Sequence, residues 1–184
     1  MLAYALAAVC IQQATASAPE TKDLLISRLP TTVFTAGEKR LFNAGRRYAE
    51  QVESLLIKDG HTHPSIRIAV LANAWHECKF DRTMSHTDSN GANTAGFFAL
   101  NSKGVGRGMS VPQKQHIPTA YNRLFGRQAT QNWLDRVVKN DWGAADAAYN
   151  YAAKVMVCAV RYRSKPKRTA AKWEAALKKA GVKI

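Results

Sequence analysis

Residues 66–77 carry Ile66, Ile68, Ala69, Val70, Leu71, Ala72, Ala74 and Trp75, with almost no polar face left between them. A helix apolar nearly all round is one that other helices surround, so this segment is expected at the centre of the fold. His63-Pro64-Ser65 marks its start, since proline fits the first turn of a helix. Before it, Thr35-Ala36-Gly37-Glu38 is a capping-box pattern, in which the threonine and glutamate side chains satisfy each other's orphan backbone donors. A helix over 35–58 is predicted there, with Leu41, Ala44, Tyr48, Val52, Leu55 and Leu56 on one face and Asp59-Gly60 as its stop.

The character of the chain changes at residue 81. Small polar residues crowd the next stretch, and Gly91, Gly96, Gly104, Gly106 and Gly108 punctuate it through residue 110. That composition predicts a long loop or a small hairpin region, and loops of such length inside compact domains are usually functional. Ser110-Val111-Pro112 suits the cap of a short helix, and Pro118 opens one or two helices through 139, with Leu124, Phe125 and Leu134 among the core candidates. Residues 144–162 are again apolar on most sides. The last helix, over 169–180, places Trp173, Ala176, Leu177 and Ala180 at the i, i+3, i+4, i+7 spacing with lysines opposite. No stretch alternates as a half-buried strand would. The expected fold is all-α, helices around a central buried helix, with one Gly-rich loop or hairpin excursion.

A chain of 184 residues is long enough for one core and short for two. The expected organisation is an N-terminal helical segment over 1–34, packed on the body, and one domain over 35–184. Residues 2–11 are apolar and Ala16-Ser17-Ala18 resembles a signal-peptidase site, yet no Lys or Arg precedes them, so export by residues 1–18 and a plain packed helix both stay open. As a transmembrane span this segment is too short. Three cysteines, Cys10, Cys78 and Cys158, show no CxxC spacing, which argues against a disulfide framework.

Charge adds a direction. The net charge is +14, and residues 111–184 supply +11 of it, with fifteen Lys/Arg against four Asp/Glu. Such a field concentrates polyanions: nucleic acid, anionic lipid headgroups or the phosphates and carboxylates of a bacterial envelope. No nucleic-acid-binding motif accompanies the charge, so an anionic cell envelope is the expected partner and nucleic acid is not.

The candidate chemistry begins with Glu77. A carboxyl beside Trp75 at the C-terminal end of a buried helix has its charged form disfavoured by low dielectric and by the negative end of the helix dipole. A carboxyl kept protonated near neutral pH can act as a general acid toward a glycosidic oxygen. The competing reading is a glutamate that turns out to solvent at a helix end. An inverting hydrolase also needs a second carboxylate at roughly 6.5–9.5 Å to activate water. Asp88 is the best placed, with Asp81 behind it, although Thr-Asp-Ser-Asn-Gly is also ordinary turn chemistry. His61, His63, His76 and Cys78 offer soft ligands, but their spacing matches no standard zinc arrangement, so no metal and no other cofactor is expected.

The order Glu77-Cys78-Lys79-Phe80-Asp81, Ser85, Gly91-Ala92, Gly96-Phe97-Phe98-Ala99-Leu100-Asn101 and, further on, Ala147-Ala148-Tyr149-Asn150-Tyr151-Ala152 resembles the catalytic domain of soluble lytic transglycosylases and goose-type lysozymes. The glycine-rich run 104–110 looks most like phage-encoded members, virion-associated lysins or endolysins. The resemblance spans roughly residues 65–176 and lies in order and spacing. It departs from the family at Cys78, where a serine is usual, and at Ala99, where a substrate-facing glutamine is usual. It implies a lysozyme-like fold and cleavage of the β-1,4 bond between N-acetylmuramic acid and N-acetylglucosamine in peptidoglycan. Glu77 would be the acid, Tyr149 would approach it from a neighbouring helix, and Phe97, Phe98, Asn101 and Asn150 would meet the substrate. Tyr149 as plain core remains a competing reading. The resemblance further implies action as a monomer, from a virion or within the host periplasm. A transglycosylase would need no base, because the muramyl 6-hydroxyl closes on the anomeric carbon. The alternative from another class is a basic helical protein that binds nucleic acid or builds a virion, with Glu77 incidental.

Overall fold

A computed structural model of the chain describes residues 24–138 and 164–184. The segment 1–23, the helix expected over 144–162, and with them Cys10, Tyr149, Asn150 and Cys158, lie outside the described residues. The described chain is mostly helical with one small sheet: α1 (Leu25–Arg28), a 3-10 turn (Thr31–Val33), α2 (Ala36–Lys58), α3 (Pro64–Cys78), β1 (Ser85–Thr87), β2 (Asn93–Ala95), β3 (Leu100–Asn101), α4 (Val111–Gln115), α5 (Ile117–Phe125), α6 (Gln128–Val138) and α7 (Ser164–Lys179).

The capping box at Thr35 and Glu38 forms in both directions and opens α2. The buried face of that helix, however, is Phe42, Gly45, Ala49, Val52, Glu53 and Leu56, while Leu41 is 45% exposed and Ala44 is exposed too. Val52 and Leu56 of the predicted face are buried and Tyr48 and Leu55 pack partly against the core, so the helix is turned by less than one residue from the face its apolar residues predict. Two residues that a hydrophobicity pattern counts as polar or neutral cause the turn. A Cβ on Gly45 would lie 2.5 Å from the Phe80 Cβ, so only glycine lets α2 approach the turn after α3. The fully buried Glu53 carboxylate accepts from the Leu25 and Ile26 amides at 2.8 and 3.0 Å and pairs with Arg67 at 3.0 Å. These contacts satisfy the orphan donors at the start of α1 and tie it to α2 and α3. Leu24, Leu25, Ile26, Leu29 and Phe34 consequently belong to the main core.

Helix α3 is buried along most of its length and touches α1, α2, α6 and α7. Helix α7 starts earlier than its pattern predicts and packs on α3 through Ala170, Trp173 and Leu177, with Ala180 exposed. Phe34, Phe42, Trp75, Phe80 and Trp173 form one aromatic cluster, with Trp75 and Phe80 rings 5.2 Å apart. None of the described helices is long and apolar enough to cross a membrane.

The glycine-rich excursion, expected as a loop or small hairpin, is a three-stranded antiparallel sheet of order β1-β2-β3, so the described chain is mostly helical where all-α was expected. Its strands are only two or three residues long, too short for alternation to stand out from a polar loop. Helix α4 clamps it: the buried Lys114 ammonium donates to the Asn93 carbonyl oxygen at 2.9 Å and to Asn93 Oδ1 at 3.2 Å. Gly96, at φ +82°, passes so close to the Lys114 carbonyl that a Cβ would sit 1.9 Å from its oxygen.

Candidate active site

Glu77 stands in the last turn of α3, and the chain beyond it is held tightly. Lys79 and Phe80 both take left-handed backbone angles, φ 55° and 63°, and the Lys79 amide closes the helix on the Trp75 carbonyl at 3.1 Å. Left-handed geometry is costly for residues other than glycine. Burial of Phe80 holds it here: the ring is fully enclosed and stacks on Phe97 at 5.5 Å with 4° between planes. The Cys78 thiol, which stands where the resembling family has a serine, donates to the Phe97 carbonyl at 3.2 Å, and its burial pushes its pKa up to about 12. It is a structural link rather than a nucleophile.

Glu77 is exposed, as in the reading in which it turns to solvent at the helix end, and its side chain lies in the wall of an open pocket. Val70, Asn73, Ala74, Phe98, Leu124 and Phe125 surround it. These mostly apolar walls replace water that would solvate the charge, and they push the carboxyl up to about 7, with the His86 charge pulling weakly the other way. The space open to a water-sized sphere is only about 40 Å³. That volume holds a few waters and no sugar ring, so a polymeric substrate would lie across its mouth.

Asp88 lies just past β1 at the start of the hairpin turn, where its backbone exchanges bonds with Ala92 and Gly91 at 2.7 and 2.8 Å. The register of the sheet aligns His86 with Thr94 and Thr94 with Asn101. This cross-strand row converges on Asp88: Oδ1 meets His86 Nε2 at 2.9 Å, and Oδ2 accepts from Thr94 Oγ1 at 2.6 Å and Asn101 Nδ2 at 2.7 Å. The Thr94 hydroxyl first, then His86 and Asn101, hold the Asp88 carboxyl below the usual carboxylate range, against a smaller opposing effect of burial.

The expected site residues are thus placed unequally. Glu77 and Phe98 line one pocket. Phe97 is fully buried against Phe80 and Phe98, so it supports the site from behind instead of meeting substrate. Asn101 is buried and spent on Asp88, Thr94 and the Lys103 amide, which corrects its expected role from substrate contact to positioning. Tyr149 and Asn150 lie outside the described residues. Asp81 accepts from Thr83 in a tight turn and is not drawn toward Glu77. His76 bonds Thr169 Oγ1 at 2.8 Å, and burial first, then Lys79, pushes it down to about 4, so it ties α3 to α7 as a neutral ring. Sequence reasoning passed over His86 and Thr94, which become visible only through the strand register.

Compared with protein-family models, with curated proteins and with solved structures, the chain matches none.

Proposed function

We propose that this protein is a peptidoglycan-cleaving enzyme of the lysozyme and lytic transglycosylase kind, built around α3 as the central helix of a lysozyme-like domain. The observation that carries the reading is the place of the Glu77 carboxyl, at the end of that helix in the wall of a pocket open to solvent, where loss of hydration pushes its pKa up to about 7. Glu77 gives its proton to the oxygen between N-acetylmuramic acid and N-acetylglucosamine, and Phe98 forms part of the pocket wall below the substrate. The exposed Lys167, Lys178 and Lys179 of α7 add to the C-terminal charge that attracts an anionic cell envelope. The enzyme works as a monomer, carried in a phage virion or released into the host periplasm.

The test is loss of turbidity in a suspension of purified peptidoglycan. Wild type clears the suspension, and Glu77→Gln, which keeps the volume and loses the proton, clears it at least a hundredfold more slowly. Equal clearing by both, or by neither, overturns the reading in favour of a basic binding or virion protein.

A further inference from the structure

A second cavity, of about 440 Å³, lies beside the Glu77 pocket, with Phe125 as a wall of both. The stop of α2 builds one side of it. Gly60 takes φ +85°, a turn that glycine allows, and the His61 amide returns to the Leu56 carbonyl at 2.8 Å, which sets Asp59 and His61 beside α5. Tyr121 and Phe125 of α5, whose rings stack at 4.3 Å with 15° between planes, and Gln131 of α6 form the other side.

The groups that meet here are rich in acceptors. Asp59 offers a carboxylate, and no Lys or Arg lines the cavity. Gln131 commits its Nε2 to the Phe125 carbonyl at 2.6 Å, which leaves Oε1 as the acceptor it turns elsewhere. The Tyr121 hydroxyl belongs to a residue only 1% exposed; it faces Asp59 but makes no well-formed hydrogen bond among the described residues. Burial first, then the Asp59 charge, pushes this phenol up, so it stays neutral with lone pairs to offer. Helices α2 and α5 also both end at the cavity, at Asp59 and Gly126, and the C-terminal end of a helix carries partial negative charge. In a chain of net charge +14 this is a place that draws a cation in. Metal is the weaker occupant, since Asp59 and His61 supply two ligands where a protein site takes three or more.

We propose that this cavity binds a primary ammonium group carried on an apolar stem. An ammonium has three N–H donors and no acceptor. One meets the Asp59 carboxylate, one Gln131 Oε1 and one the Tyr121 oxygen, whose own hydrogen turns to Asp59, while the methylene stem lies against the Phe125 ring. A lysine-type side chain and a free alkyl diamine both carry this chemistry. The site is separate from the Glu77 carboxyl and holds whether or not Glu77 cleaves glycan.

The experiment titrates the full chain with cadaverine and with Nα-acetyl-lysine amide, read by calorimetry and by NMR of the backbone amides. N-acetylglucosamine and the Nε-acetylated lysine compound are the neutral comparisons. Both amines should bind saturably, with Kd of about 1 mM or below, and shift the amides of His61, Gly126 and Gln131, which the neutral compounds should leave in place. Asp59 is exposed and asparagine suits a helix end, so Asp59→Asn should keep the fold and weaken both amines about tenfold or more. Tyr121→Phe should weaken them about threefold or more while melting at or above wild type, a pairing that a merely structural tyrosine would not give. Tighter binding of the lysine compound assigns the site to a peptide and tighter binding of cadaverine to a free amine; either supports it. Absence of saturable binding, equal shifts with N-acetylglucosamine, or Asp59→Asn within about twofold of wild type overturns the ammonium site. Since binding is read directly, such a failure leaves the reading of Glu77 standing, and failure of the turbidity test leaves the ammonium site standing.

Discussion

An acid that must carry its proton gives a falling limb in the pH dependence of cleavage, and the structure sets where that limb lies. The ordinary glutamate value is 4.5, and the walls around Glu77 push it up to about 7. Initial rates of turbidity loss between pH 5 and 9, at constant ionic strength so that envelope attraction is unchanged, should therefore fall through a midpoint near pH 7 and then by about tenfold per unit. Because the His86 cation pulls Glu77 down, His86→Gln should move the Glu77 midpoint upward, read by NMR titration of the carboxyl. The same shift has a thermodynamic sign. A carboxyl whose folded pKa lies above its unfolded one costs no stability below pH 4.5. The cost grows as pH rises toward about 7 and stays constant above it. Glu77→Gln should accordingly melt higher than wild type at pH 8 and close to it at pH 4. A rate limb with its midpoint below pH 5, or a Gln variant without a stability gain at pH 8, refutes the account of Glu77 as an acid held protonated by its pocket.

Glu53→Ala removes the acceptor of two α1 amides and strands Arg67; we expect about 3–5 kcal/mol of lost stability in urea unfolding. Gly45→Ala forces a methyl into Phe80, and we expect a loss of about 1–3 kcal/mol, with lower activity because the turn after Glu77 shifts. Asn101→Ala leaves Asp88 with one donor fewer; we expect about 1–2 kcal/mol of lost stability in urea unfolding, the worth of one hydrogen bond to a partly exposed charge. Tyr121→Phe deletes a buried hydroxyl that faces Asp59 but makes no well-formed hydrogen bond among the described residues, and its melting temperature should equal or exceed that of wild type.

The helices were legible because each is marked twice, by apolar period and by a start or stop. Thr35 with Glu38, His63-Pro64 and Ser110 cap helices where their side chains predict. The phase of α2 was only partly legible: Val52 and Leu56 were, whereas Gly45 and Glu53 owe their buried places to partners far along the chain, Phe80 and Leu25, which no local window contains. The sheet was hidden for a related reason: its strands are shorter than a period-two pattern needs, and buried Lys114 of α4 helps hold it together.

The site shows the same division more sharply. The upward shift of the Glu77 carboxyl was readable because the buried helix that carries it already removes water from its surroundings. Asp88 was readable as a carboxylate in the right loop, but its capacity to act as a base depends on how many donors it already holds. That count comes from the alignment of His86, Thr94 and Asn101 across three strands. A sequence displays which acids and bases are present; which of them still has a free lone pair is a property of the folded register. Sliding β1 by one residue would turn the His86 and Asp88 side chains to the opposite face of the sheet, away from Thr94 and Asn101. Asp88 would then keep its local partner His86 and lose Thr94 and Asn101. The short sheet, as much as any helix, therefore decides how many partners Asp88 holds.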